Sequence, residues 1–163
     1  MKPFLLLTLF SILAITVNSQ KFEFTGYKPD TVTYKRIEKN VLAPGRYTFP
    51  ARFSLLNYAP DVKNQSPWGT CVAYSSAYCA MSIAHKLETG ESVIYSPYSL
   101  YNRVKDESGN ECNEGLYINS SLKKLCNDGC ARWYNYDNVC KSDYTYSSYS
   151  DKIIDYEAIG ISV

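Results

Sequence analysis

The sequence has no excess of charge of either sign. Seventeen lysines and arginines stand against sixteen aspartates and glutamates, and neither sign forms a long run. A protein that binds nucleic acid or another polyanion usually presents a basic patch that attracts it. This composition therefore gives no electrostatic argument for a nucleic-acid partner.

Long hydrophobic runs are lacking after the first nineteen residues. The apolar run from Phe4 to Val17 follows Lys2 and leads into small residues that end at Ser19. A membrane-spanning helix needs about 20 apolar residues, so this run is too short for a membrane anchor. It predicts a signal peptide over residues 1–19 and an exported protein, secreted or periplasmic, with no membrane span after cleavage.

Histidine is nearly absent, and the six cysteines include no CxxC pair. Zinc sites usually need such cysteine pairs or several histidines, so neither a metal nor another cofactor is predicted. Cysteines of exported chains usually form disulfides. The loop-rich segment late in the chain favours a Cys130–Cys140 pair, while pairing of either with Cys112 or Cys126 stays open.

Hydrophobic periodicity and helix-end signals predict three helices. The first is apolar nearly all round, which is typical of a helix in the middle of a core. The second begins at Ser96-Pro97, a side-chain cap followed by a proline that suits the first helical position. The predicted helices span 70–88, 98–105 and 116–126, with a loop over 134–150 and an extended segment over 153–163.

The segment before these helices, residues 20–47, mixes charge, tyrosine, threonine and proline without a sustained period. We interpret it as an exposed leader or a short pro-segment. The domain proper is predicted to span 48–163, the length of one domain or of half a larger one.

Cys71 lies in the first turn of the first predicted helix, and Gln65 lies six residues earlier in the preceding loop. The N–H groups and the positive dipole end at a helix start favour a thiolate, the form of cysteine that attacks a carbonyl. Gln65 could donate a hydrogen bond toward the same helix end and complete a two-donor oxyanion site with the Cys71 amide. The alternative is a buried structural cysteine.

The segment from Asn64 to Ser75, Asn-Gln-Ser-Pro-Trp-Gly-Thr-Cys-Val-Ala-Tyr-Ser, resembles the active-site signature of papain-like cysteine peptidases. Tyr95-Ser96-Pro97 is similar to the start of that family's second helix, and Cys112-Asn113-Glu114-Gly115 to its Cys-Asn-Gly-Gly substrate strand. The resemblance implies that Cys71 is the nucleophile of a peptidase and that Gln65 is its oxyanion donor.

The resemblance also implies a substrate site and a fold. Gly115 would offer its backbone to a peptide, although it could equally be an ordinary turn glycine. Leu116 and Tyr117 would border the pocket for the residue two positions before the scissile bond. The implied fold is α+β, a helical half around a central buried helix, with the β-barrel half missing from this chain. The lack of a long helical pro-segment resembles a bacterial-type secreted branch.

Three positions depart from the family pattern. Trp68 stands where the family usually has a cysteine, so the disulfide that normally ties this loop to Cys112 cannot form in its usual way. Val72 replaces a tryptophan, and Glu114 replaces the first of two glycines. These changes bear on loop rigidity and substrate preference and leave the nucleophile in place.

The imidazole that such a peptidase needs is not expected near Cys71. The single histidine, His85, lies fourteen residues further along the same predicted helix. At about 1.5 Å per residue it is roughly 21 Å away, whereas proton transfer needs about 3 Å. We therefore expect a cysteine peptidase truncated before its histidine and asparagine; the alternative is a non-catalytic peptide-binding or interaction protein.

Overall fold

The computed structural model describes residues 27–36, 39–40, 50–65, 67–108, 112–135, 139–140 and 151–159. The predicted signal peptide lies outside these residues, as do most of the predicted loop and the end of the predicted extended segment, residues 160–163. In the part that is described, no helix is long and apolar enough to cross a membrane.

Helices are the main regular secondary structure among the described residues. The long central helix α2 consists of three consecutive segments, and the middle one has the wider turn of a π-helix. The elements are α1 (Thr31–Arg36), β1 (Lys39–Asn40), α2 (Cys71–Ala73, Tyr74–Met81 and Ser82–Thr89), α3 (Pro97–Ser108), α4 (Ile118–Asn127), a 3₁₀ turn (Trp133–Asn135) and β2 (Ala158–Ile159). The two short strands pair in parallel, with Lys39 opposite Ala158.

The three predicted helices are confirmed, and local chemistry explains their ends. α2 stops at Gly90, whose φ of 79° is left-handed and whose amide donates to Lys86 O at 3.0 Å. α3 follows Ser96, whose Oγ accepts the Ser99 amide at 3.1 Å as a side-chain cap. α3 runs further than predicted, because it continues to Ser108.

The core lies where α2, α3 and α4 meet. Small residues of α2 allow the close approach of large side chains from its neighbours. The buried side chains of this core include Val72, Ala73, Ala77 and Met81 from α2, Leu100, Tyr101 and Val104 from α3, Leu125 from α4, and Tyr95 and Leu116 from the connecting segments. Burying each large apolar side chain contributes about 1.5–3 kcal/mol.

The prediction that α2 is buried nearly all round is wrong. Cys79, Ala80, Ala84 and Leu87 are exposed on one side of the helix. Ser82, predicted to lie on the polar seam, is buried instead, and its Oγ accepts the Tyr95 amide at 3.1 Å. Among the described residues, α3 and α4 cover one side of α2, and the periodicity of the sequence could not show which side.

A polar network centred on Tyr95 attaches the segment that begins at Asp151 to α2. The Tyr95 hydroxyl donates to Asp151 Oδ2 at 2.8 Å and lies 3.0 Å from His85 Nδ1. Arg132 Nε donates to the same carboxylate oxygen at 3.0 Å. The backbone carbonyl of Asp151 accepts the Cys130 amide at 2.8 Å, so both ends of this residue are held.

The predicted Cys130–Cys140 disulfide is wrong, because Cys140 is bonded to Cys112, one of the pairings left open. Cys130 is fully buried, and its thiol donates to Ser96 O at 3.1 Å. The left-handed backbone of Gly129 turns the chain into the core directly after α4. Cys130 is closer to Cys140 along the chain than Cys112 is, but its thiol is buried in the core. Tertiary packing therefore decides which cysteine pairs with Cys140.

We predict that unreduced peptide mapping yields a Cys112–Cys140 linked peptide and an unlinked Cys130 peptide. Cys140→Ser should lower the free energy of unfolding by about 2–4 kcal/mol, because the bridge restricts the unfolded chain. Cys79→Ser, on the exposed side of α2, is the matched control and should leave the melting temperature nearly unchanged. A linked Cys130–Cys140 peptide would contradict the assignment.

A second prediction concerns acid stability. Burial raises the pKa of Asp151, but the hydrogen bonds from Tyr95 and Arg132 outweigh it and hold the pKa below the ordinary value of 3.8. A lowered pKa in the folded state means that the carboxylate stabilises the fold above about pH 4 and that this contribution is lost as the pH falls.

Asp151→Asn should therefore reduce the melting temperature at neutral pH and flatten its decline between about pH 5 and pH 3. The exposed Asp61 provides the control Asp61→Asn. Thermal melts over this pH range measure both effects, and an unaltered slope in Asp151→Asn would count against the network.

Candidate active site

Cys71 is the first residue of α2, and its side chain is half-buried. It is reduced, since the disulfide of this chain joins two other cysteines. The first helical hydrogen bond runs from the Tyr74 amide to Thr70 O at 2.9 Å, which places the Cys71 amide in the first turn. Amides in that turn lack acceptors within the helix and can bind a developing negative charge.

Gln65 lies close to this helix start because its backbone is held there. The carbonyl of Gln65 accepts the Thr70 hydroxyl at 3.3 Å and the Tyr98 hydroxyl at 3.4 Å. Thr70 directly precedes Cys71 and is fully buried, so the contact joins the loop to the first turn of α2. The structure thus brings the two predicted catalytic residues to one place, while their roles stay predictions.

Tyrosines of α2 hold the loop before Gln65, a role that the sequence pattern did not predict. The Tyr78 hydroxyl donates to Asp61 O at 2.6 Å, and the Tyr74 hydroxyl donates to Asn64 O at 3.3 Å. Burial, together with the neighbouring Tyr98, raises the pKa of Tyr74 to about 12, so this hydroxyl keeps its proton at neutral pH. The tyrosine-rich composition was the available signal, because buried tyrosines usually find hydrogen-bond partners.

Gly69 joins the cysteine loop to residues 114–117, the segment that contains the three predicted substrate-binding residues. Its amide donates to Cys112 O at 3.2 Å, and a Cβ atom at this position would collide with the backbone carbonyl of Glu114. No side chain fits between the two backbones, which explains why a glycine is required two residues before Cys71.

Tyr101 also holds this segment through its hydroxyl group. Its hydroxyl lies 2.8 Å from Cys112 O and 2.6 Å from Glu114 O and donates its proton to these carbonyls. Burial, followed by the charge of Glu114, raises the pKa of Tyr101 to about 12. The Cys112–Cys140 bridge fixes the chain just before this segment. The cysteine that usually pairs there in the resembled family is replaced by Trp68.

The three predicted substrate-binding residues differ in how far they are exposed to a ligand. Gly115 is half-buried behind Gly69. The side chain of Leu116 belongs to the core and is 1% exposed, so this residue can offer only its backbone to a ligand. Tyr117 is 41% exposed, and its ring faces the leader.

Part of the predicted leader lies on residues 114–117. Tyr27 pairs with Leu116 in a parallel bridge, and the Lys28 amide donates to Leu116 O at 3.0 Å. Lys28 Nζ lies 2.6 Å from Glu114 Oε2 and 5.9 Å from the centre of the Tyr117 ring. A peptide segment of this chain therefore occupies the strand that the resemblance assigns to substrate.

His85 is not brought to Cys71. It lies in the last segment of α2, where its ring contacts Tyr95 edge-on and its Nδ1 is within hydrogen-bond distance of the Tyr95 hydroxyl. Its Nε2 is buried and has no hydrogen-bond partner among the described residues. The expectation that this histidine serves packing and not the cysteine is consistent with these contacts.

The described structure also contains a cavity that the two predicted catalytic residues do not line. A cavity of about 750 Å³ lies between the leader, α4 and residues 154–157; Cys126 lines it, and neither Cys71 nor Gln65 does. In the ranges that the structure describes, no group of three histidine, cysteine or acidic side chains could hold a metal ion.

Comparison with protein-family models and with curated proteins gives no match. Solved structures do match. The structure of digestive procathepsin L 3 of Tenebrio molitor larval midgut is 18% identical with a TM-score of 0.56, and the match covers 68% of this chain and 36% of that chain. A structure from the comparison of the mite allergens Blo t 1 and Der p 1 is 16% identical with a TM-score of 0.60, covering 85% and 45%.

A third structure, proCathepsin B S9 from Trypanosoma congolense, is 15% identical with a TM-score of 0.53, covering 69% of this chain and 40% of that chain. The present chain thus spans less than half the length of these structures. Identities this low show the fold alone. The described residues have the fold of part of a papain-like cysteine protease.

Proposed function

We propose that this chain carries the nucleophile side of an exported papain-like cysteine peptidase. The observation that supports this most directly is the attachment of the Gln65 backbone to Thr70, at the helix start where Cys71 lies. The papain-like fold of the described residues supports the same assignment. Peptides or proteins would be the substrates, and the chemistry needs no metal or cofactor.

In the proposed reaction the Cys71 thiolate attacks the carbonyl carbon of a peptide bond, and a carbon–sulfur bond forms. The carbonyl oxygen becomes an oxyanion that accepts hydrogen bonds from the Cys71 amide and the Gln65 side chain. Collapse of this intermediate breaks the carbon–nitrogen bond, and the leaving amine takes a proton. Water then hydrolyses the thioester and regenerates the thiol.

Proton transfer requires an imidazole that this sequence does not provide near Cys71. His85 is bound to Tyr95, toward the other end of α2. We propose that polypeptide other than residues 1–163 supplies the catalytic histidine and asparagine. The activity of the whole peptidase then depends on joining the two parts.

A second candidate function is peptide binding without catalysis. The leader contacts at Leu116 and Glu114 favour it, because they engage a peptide without using Cys71. The reactivity of Cys71 separates the two functions, since a peptidase needs an activated thiol and a binding protein does not.

We predict that Cys71 is the most reactive thiol of the chain. Iodoacetamide or a peptidyl epoxide, followed by mass spectrometry, should label Cys71 before Cys79, although Cys79 is the more exposed of the two. Cys130 should stay unlabelled, because complete burial raises its pKa to about 12. Equal labelling rates at Cys71 and Cys79 would argue for the binding protein.

A further prediction is that the 163-residue chain shows no measurable peptide hydrolysis. Without an imidazole the general-base step has no agent, and oxyanion donors alone retain only a small part of such activity. Fluorogenic dipeptide substrates provide the assay, with Cys71→Ala and His85→Ala as the paired variants. Turnover lost in Cys71→Ala but kept in His85→Ala would reveal another base and would contradict this account.

A further inference from the structure

We propose that residues 114–117 select a basic side chain, lysine or arginine, in a bound peptide, with the Glu114 carboxylate and the Tyr117 ring as the selecting groups. This inference rests on the proposed function, since it names the substrate class of the same candidate site.

The backbone contact shows how a peptide is held there. The Lys28 amide donates to Leu116 O at 3.0 Å, and Tyr27 pairs with Leu116 in a parallel bridge. Adding an extended segment to a backbone edge in this way gives affinity for many sequences, and side-chain pockets beside the edge provide the specificity. The leader thus acts as a bound peptide whose lysine is the residue that contacts Glu114 and Tyr117.

The side chain of that lysine meets two groups of the strand. Its Nζ lies 2.6 Å from Glu114 Oε2 and 5.9 Å from the centre of the Tyr117 ring, within reach of a cation–π interaction. The side chain of Glu114 is 53% exposed, so the carboxylate can exchange one cationic partner for another. An arginine would fit the same pair, because its planar guanidinium binds carboxylates and stacks on aromatic rings.

The backbone of Glu114 is held by contacts that do not involve the leader. Tyr101 holds its backbone carbonyl at 2.6 Å, and Gly69 packs directly against the same carbonyl group. A carboxylate on a fixed backbone loses less conformational freedom when it binds a cation than one on a mobile loop. This glutamate stands where the resembled family has glycine, so the selectivity is a property of this chain.

The expected preference is moderate, because the ion pair is partly open to water. Exposed ion pairs and cation–π contacts of this kind together correspond to about a three- to tenfold change in affinity. Salt screens an exposed pair, so the preference should shrink toward unity at about 0.5 M NaCl.

The test uses the full chain with Cys71→Ala, which removes the reactive thiol, and Lys28→Pro, which removes both the leader's amide donor to Leu116 O and its lysine from Glu114. Labelled pentapeptides Gly-Tyr-Xaa-Pro-Asp are titrated by fluorescence anisotropy, with lysine, arginine, norleucine or glutamate at Xaa. Lysine and arginine should bind about three- to tenfold more tightly than norleucine, and glutamate should bind most weakly.

Adding Glu114→Gln should remove the preference for lysine while leaving the norleucine peptide nearly unaffected, because the Leu116 carbonyl is unchanged. Glu91→Gln, at an exposed glutamate distant in sequence, is the matched control and should keep the preference. Equal affinities for lysine and norleucine, a preference that survives Glu114→Gln, or no binding of any peptide would each overturn the proposal.

These outcomes are independent of the proposed catalysis, because the variant used in the binding assay carries Cys71→Ala. A charge preference at residues 114–117, combined with an unreactive Cys71 in the labelling experiment, would support the peptide selectivity and argue against the peptidase. A reactive Cys71 combined with equal affinities would do the reverse.

Discussion

The close approach of Gly69 to the backbone of Glu114 is the contact on which the candidate site depends. The Gly69 amide binds Cys112 O, and the space where a side chain would begin is filled by the Glu114 carbonyl group. Cys71 follows two residues later, so the distance between the thiol and residues 114–117 is set by this contact. A glycine is the residue that permits it, because any Cβ would push the two backbones apart.

Buried tyrosine hydroxyls stabilise the segments on either side of that contact. Tyr98 and Tyr101 of α3 reach the carbonyls of Gln65 and Glu114, respectively, and thereby orient two loops that have little secondary structure. A loop carbonyl that is buried without a donor is costly, so these hydroxyls both satisfy the backbone and fix its course. The helices thus supply hydrogen-bond donors to the site as well as packing.

The lone histidine serves a different part of the structure. His85, Tyr95 and Asp151 form a network that joins α2 to the segment following α4, and this network lies apart from Cys71. A histidine beside a buried tyrosine and an aspartate could suggest acid–base chemistry. Its neighbours here are structural groups, and the hydroxyl between the histidine and the aspartate is already committed to the carboxylate.

Local patterns in the sequence were sufficient to predict the three helices, the cap at Ser96 and the placement of Cys71 at a helix start, because each depends on residues a few positions apart. The exposed side of α2, the Cys112–Cys140 pairing and the leader contact of Lys28 with Glu114 were decided only by tertiary structure. Each joins segments far apart along the chain, and their proximity comes from the packing of α3 and α4 on α2. Periodicity describes the faces of one helix, whereas the choice of face and of cysteine partner depends on what the rest of the chain places beside it.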